Sequence, residues 1–254
     1  MAGSHVHALY RHGDSLLHRL SPQVKIVGAF SFVFAVIATP RQAVWAFGVY
    51  ALAVIALARI ARLGPRFVFT RMLVEIPFVL ATLLFPFLGG GPDIDVLGLG
   101  LSRAGLWDMW NVVAKASLGL LTSVVLAGTT EISKMLAGFD ALRIPRVITA
   151  IMGFMIRYLD VVLGDFRRMR VAMQSRGFTP RWLGHAGPYA RSAGTMFVRS
   201  YERGERVYLA MASRGYAGHM PPGSVVPAPS TQWVTALGFA GLAWVVAAFA
   251  LAAQ

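Results

Sequence analysis

Two seven-residue stretches of this chain each carry a cation suited to recognition chemistry. They are Ala172-Met173-Gln174-Ser175-Arg176-Gly177-Phe178 and, 38 positions later, Ala210-Met211-Ala212-Ser213-Arg214-Gly215-Tyr216. The copies agree at Ala, Met, Ser, Arg and Gly, match Phe to Tyr, and also pair Arg168 with Arg206. A guanidinium forks onto a carboxylate through two parallel hydrogen bonds, so Arg176 and Arg214 suit acidic groups on another protein. Ser175 and Ser213 have no His in the motif to act as base, so no nucleophile is assembled there. No lysine follows a glycine, which excludes a Walker A phosphate loop, and no His-Glu-x-x-His zinc helix occurs. The spacing His5-x-His7, with His12 and His18 beyond it, resembles a ligand pair, but a polar N-terminal segment lacks the second shell that orients such ligands. No catalytic residue and no metal site is therefore expected on this chain.

The elements that must position the two arginines are helices. Gly177 and Gly215 stand where a helical run should stop, because glycine accepts the left-handed conformation of a C-terminal cap. An arginine in the last turn also faces the negative end of the helix dipole. Capping alone explains one such end, whereas a doubled motif predicts two equivalent tips meeting two equivalent sites. Residues 146–176 read as one long helix, apolar in its first half and Arg-rich in its second. After a break over Gly184–Pro188, residues 189–214 read as another. On the second, Phe197, Tyr201, Gly204, Tyr208 and Met211 recur at steps of four and three, and the first offers Val162, Phe166, Met169 and Met173 at the same rhythm. The expectation is that these seams pack on each other and leave the tips free; the alternative is that each seam lies on the membrane surface.

The rest of the chain reads as bilayer-spanning. Of 254 residues 56% are hydrophobic and 14% charged, and the mean hydropathy is +0.61, more apolar surface than a soluble domain buries. The net charge of +13 reads as basic cytoplasmic loops rather than as a nucleic-acid site, and the absence of cysteine excludes disulfides and thiolate metal sites. The predicted fold is an all-α membrane protein of about five transmembrane helices plus a cytoplasmic coupling domain of one short and two long helices. An N-terminal membrane domain, 1–130, has spans at about 22–39, 42–60, 70–88 and 107–130. A coupling domain, 131–230, has helices at about 131–143, 146–176 and 189–214, and a last span fills 231–254. The segment after Arg146 is not expected to cross, because Arg146, Arg157 and Asp160 interrupt it. Crossing would also place outside a block with eleven arginines and four acids between Arg157 and Tyr216. The glycine-rich, acidic run Gly89–Asp95 reads as a flexible outer loop. Glu75 either marks a site inside the third span or pairs with Arg71, and Lys115 faces protein, water or a partner rather than lipid.

These residues resemble a known family, the transmembrane T components of energy-coupling factor (ECF) transporters, and within it the CbiQ branch of cobalt uptake systems. The likeness lies in Leu17-His18-Arg19-Leu20-Ser21-Pro22-Gln23-Val24-Lys25, Glu75-Ile76-Pro77-Phe78, Thr129-Thr130 with Leu142 and Pro145, Arg157-Tyr158, and the two Arg-Gly tips. The family usually has Ala before each tip arginine, where this chain has Ser. The resemblance implies a non-catalytic coupling subunit in the cytoplasmic membrane, with the N-terminus and 131–230 inside. Ala172, Ser175, Arg176 and Gly177, with Ala210, Ser213, Arg214 and Gly215, would enter grooves on two cytoplasmic ATPase subunits. Those subunits would bind ATP and Mg, a separate substrate-binding membrane subunit would take cobalt, and this chain would hold no cofactor. Other readings are a T subunit for nickel or a vitamin, a self-sufficient carrier or channel using Glu75 and Lys115, and an intramembrane enzyme, for which no nucleophile or metal set is assembled.

Overall fold

Each long helix begins or ends where the local sequence allows no continuation. In the computed structural model, which describes residues 10–11, 13–88, 93–96, 99–178, 186–216 and 228–253, α1 (Leu16–Arg19) is followed by α2 (Pro22–Ala38), whose proline fills the first helical position. Then come α3 (Val44–Ile60) and the interrupted run α4 (Pro65–Met72), α5 (Ile76–Thr82) and α6 (Phe85–Leu88). A hairpin of β1 (Asp93–Val96) and β2 (Leu99–Ser102) pairs Asp93 with Ser102 and Val96 with Leu99. The remaining helices are α7 (Arg103–Thr129), α8 (Ile132–Ala141), α9 (Arg146–Ser175), α10 (Ala186–Ala212) and α11 (Ser230–Ala252). His5, His7, His12, Gly89–Pro92, residues 184–185 and the prolines at 221, 222 and 227 lie outside the described residues.

The third expected span departs from the sequence reading. It starts at Pro65 rather than near 70 and is not continuous, since a 3-10 turn at Leu73–Glu75 separates α4 from α5. Pro77 and Pro86 explain the breaks, because a proline lacks the amide that bonds four residues back and its ring crowds that carbonyl. Part of the run expected as loop is strand β1. Helices α7 and α10 also begin a few residues earlier than expected, at Arg103 and Ala186. Among the described residues, four helical stretches are long and apolar enough to cross a bilayer: Pro65–Phe87, Arg103–Thr129, Arg146–Ser175 and Ser230–Ala252. The apolar α2 and α3 are shorter, at 17 residues each, which is the low end for a span. Since α9 passes on length and composition, the case against its crossing rests on where its charges fall and not on a want of apolar residues.

Contacts divide the described residues into two compact units, one within Leu9–Ala141 and Val226–Gln254 and the other within Leu142–Val225. Helix α8, expected among the coupling helices, belongs to the former, where Gly138 comes close to Pro22 and Ile26 of α2. This unit is built inside out relative to a soluble domain. Helix α11 buries Ala240, Ala243, Ala247 and Ala250 and turns Leu242, Val245 and Phe249 outward. Small residues let backbones approach where lipid already solvates the large apolar groups, which is how helices associate in bilayers. The core adds Phe32, Phe47, Tyr50 and Val54. Buried Tyr50 donates to Ala243 O at 3.0 Å and lies 3.0 Å from Thr39 Oγ1.

Helices α2 and α7 run antiparallel and clamp each other's ends. Lys115 Nζ donates to Ile37 O, in the last turn of α2, at 2.8 Å. Reciprocally, Lys25 Nζ donates to Thr129 O at the end of α7 (2.9 Å) and to Thr130 Oγ1 (3.2 Å). Each ammonium satisfies a carbonyl that the helix leaves orphaned and sits at the negative end of its dipole. Beyond the C-terminal end of α2, Arg41 pairs with Asp108 near the start of α7. Not every helix end is relaxed: Arg62 and Arg143 have positive φ, 54° and 59°. At the end of α3, Leu63 N bonds Ala58 O and Arg62 N bonds Arg59 O, a left-handed cap with arginine at the glycine position. The lysine clamps can be tested directly. Lys25→Met or Lys115→Met should cost about 1–3 kcal/mol by stranding a carbonyl. The third lysine, Lys134, has a mostly exposed side chain, so Lys134→Met should stay within about 0.5 kcal/mol. Thermal unfolding midpoints in one detergent would compare the three.

Candidate functional site

The two repeated motifs fold alike to the level of individual hydrogen bonds. At the end of α9, Phe178 N bonds Met173 O at 3.1 Å and Gly177 N bonds Gln174 O at 3.0 Å; at the end of α10, Tyr216 N bonds Met211 O and Gly215 N bonds Ala212 O, both at 3.0 Å. Gly177 and Gly215 have φ of 77° and 85°. Each end is thus a Schellman motif, in which the residue two past the cap makes an apolar contact back to the last turn. That role accounts for the Met and the aromatic, which are half-buried in both copies. Ser175 donates back to Val171 O and Ser213 to Ala210 O, so both hydroxyls are used within their own helices.

Capping leaves the arginines unexplained. Arg176 and Arg214 occupy the same cap position and are exposed; their amides bond back to Met173 O and Met211 O, while their guanidinium groups have no hydrogen-bond or ion-pair partner among the described residues. Ala172, Ser175 and Gly177, and likewise Ala210, Ser213 and Gly215, are exposed around them. The structure therefore offers two small-residue surfaces, each with one unengaged guanidinium.

Helices α9 and α10 pack antiparallel, but not along the expected seams. Phe197, Tyr201 and Tyr208 are 73%, 68% and 57% exposed, and Phe166 is exposed as well. The half-buried side of α10 is instead Ser192, Met196, Arg203, Val207 and Met211. Phe154, Tyr158 and Val162 of α9 share a cleft with Arg203, Gly204, Val207 and Met211 of α10, and Met169 and Met173 are half-buried on the same side of α9. A hydrophobic periodicity finds the most apolar stripe of a helix, and on α10 that stripe points away from its partner. Ser192 contacts Met173 at 3.5 Å, and Arg203 Nη2 donates to Asp165 Oδ2 at 2.9 Å. Arg168 also pairs with Asp165, and Phe178 rings against Tyr189 at 5.8 Å. Asp165 and Arg203 were missed as a pair. Their signal was the 38-residue offset itself, which relates the one to the other.

The polar groups inside the first unit are engaged locally. Glu75 Oε1 accepts from Ser117 Oγ at 2.9 Å, while the Arg71 guanidinium lies 3.4 Å over the Phe67 ring. With Lys115 on the α2 terminus, neither group proposed for a transport path is held open for one. Among the described residues no three His, Cys, Asp or Glu side chains gather as a metal site.

Residues 13–223 match the family CbiQ, described as cobalt transport protein. A putative fused cobalt transport protein CbiMQ of Methanocorpusculum labreanum is 24% identical over 81% of this chain, which spans only 36% of that longer protein. The energy-coupling factor transporter transmembrane protein EcfT of Bacillus selenitireducens is 26% identical, with 82% of each chain covered. The protein of that name from Bacillus subtilis is 24% identical over 86% of this chain and 87% of its own.

Among the described residues, no atom beyond the chain neighbours lies within 4 Å of where a Cβ would stand on Gly177 or Gly215, so substitution there tests backbone conformation. Gly177→Ala and Gly215→Ala should each destabilise their cap by about 1 kcal/mol, with Asn closer to neutral. Hydrogen exchange would report it as faster loss of protection at the Phe178 and Tyr216 amides, with the middle of each helix unchanged.

Proposed function

Because this chain belongs to the CbiQ family of cobalt transport proteins, the T components of ECF transporters, we propose that it is the non-catalytic coupling subunit of an ATP-driven cobalt importer. The observation that carries the reading is the pair of tips: two helix ends with the same backbone capping bonds, each presenting a guanidinium with no partner among the described residues. A guanidinium flanked by small exposed residues suits a groove with a carboxylate at its floor. Two copies suit two equivalent ATPase subunits, which would supply ATP and Mg chemistry.

The protein is a multi-pass membrane protein. In the proposed orientation the N-terminus, α8, α9 and α10 lie on the cytoplasmic side, since the basic block from Arg157 to Tyr216 belongs there by the positive-inside rule. A separate membrane subunit would select the metal. Cobalt is favoured over nickel by the family and by the relative named CbiMQ rather than by any ligand set on this chain. The reading as a self-sufficient carrier loses its motive, because Glu75 and Lys115 are both spent on internal hydrogen bonds.

Reversing both tips, Arg176→Glu with Arg214→Glu, should abolish co-purification of the ATPase subunits and cobalt uptake by cells, while the variant still inserts in the membrane. Each single reversal should weaken both by about 5- to 150-fold, the range of a typical coupling free energy. Unchanged association in the double variant would overturn the proposal.

A further inference from the structure

We propose that Asp165 and Arg203 are a positioning pair, an ion pair on a local two-fold axis of the α9–α10 unit that sets how the two arginine tips are held apart. The inference rests on the coupling role proposed above.

Its basis is the repeat. From Ser192 onward, every half-buried residue of α10 stands 38 positions after a half-buried residue of α9: Ser192 after Phe154, Met196 after Tyr158, Arg203 after Asp165, Val207 after Met169, Met211 after Met173. The contacts obey the matching exchange rule. Met173 touches Ser192, the counterpart of Phe154, while Phe154 shares a cleft with Met211, the counterpart of Met173. If residue i meets the copy of j, then j meets the copy of i, which is the signature of an isologous, two-fold interface. Here it occurs within one chain.

On such an axis a residue meets its own counterpart. Two aspartates or two arginines there would repel, and this chain has opposite charges at that one position. Asp165 also pairs with Arg168, while the counterpart of Arg168, Arg206, pairs with Glu202 on its own helix. The hydrogen bonds from Arg203 and then Arg168 hold the Asp165 carboxyl below the usual carboxylate range, so it stays charged. Packing around the pair is incomplete, with an open cleft of about 210 Å³ lined by Phe154, Tyr158, Val162, Gly204 and Val207 beside Arg203. Apolar contact alone therefore specifies the helix register weakly, and the ion pair supplies what is missing. Arg176 and Arg214 each lie eleven residues beyond it, toward opposite ends of the antiparallel pair, about 16 Å along each helix axis.

The absence of native cysteine makes a direct test clean. Spin labels at Gln174→Cys and Ala212→Cys, equivalent exposed positions, report the tip separation in the complex with its ATPase subunits and in the full chain in nanodiscs. The expected result is one narrow distance, broadened by Asp165→Asn and by Arg203→Gln, with uptake reduced about tenfold while the ATPase subunits still co-purify. The exchange Asp165→Arg with Arg203→Asp should recover the narrow distance and most of the uptake, since the largely exposed Arg168 can turn to solvent. A distribution and uptake unchanged in the single variants, or an exchange no better than either of them, overturns the proposal. Failure of the coupling role would show differently, as ATPase association that survives loss of both tip arginines, and leaves the nanodisc measurement standing.

Discussion

The governing constraint in this molecule is the end of a helix. Every helix leaves its final carbonyls unpaired and its dipole exposed, and a chain of mostly apolar helices has little water at hand to satisfy either. Two solutions appear. Inside the apolar unit the helices lend each other ammonium groups, Lys25 to α7 and Lys115 to α2. An ammonium is a compact donor that reaches a single carbonyl, where a guanidinium would bring a wide fork with further donors to satisfy. In a chain with 24 basic residues, lysine stands at just these two places and at Lys134. The second solution is the folded-back Schellman end of α9 and α10, which pairs the carbonyls from within and leaves the neighbouring arginine unengaged.

These two solutions divide what was legible in the sequence from what was not. The ends of α2, α3, α8 and α11 could be read closely because Pro22, Pro40 and the apolar run-lengths dictate them locally. The Schellman ends were legible as glycine stops. The glycine alone does not show that the Met and the aromatic share in the cap; the structure gives both that role, which narrows the exposed surface to the arginines and the small residues around them. Lysine 115 could be judged not to face lipid, yet its acceptor is a backbone carbonyl 78 residues away in sequence, and a carbonyl leaves no mark on a residue pattern.

The α9–α10 seam shows the same limit more sharply. Counting apolar positions on α10 selects Phe197, Tyr201 and Tyr208, because aromatic side chains dominate any such count. The helix pairs instead through Ser192, Met196, Arg203, Val207 and Met211. In a soluble protein the most apolar face is the buried one, whereas a membrane subunit has lipid and other subunits for its apolar faces. The feature that did mark the seam was the internal repeat, which is a statement about symmetry and is indifferent to hydrophobicity.

Arginine 62 carries a different lesson. It occupies the left-handed position at the exit of α3, where glycine would be at ease, and the Cβ it brings costs about 1 kcal/mol. With the N-terminus inside, as proposed, and α2 and α3 crossing in turn, the α3–α4 turn would return to the inner face, where Arg62 would be one of the charges, with Arg59 and Arg66, that hold it there. A more comfortable backbone there would come with a weaker instruction about which way the chain enters the membrane. In that orientation insertion and folding would make opposing demands on one residue, and the side chain present would be the one that serves insertion.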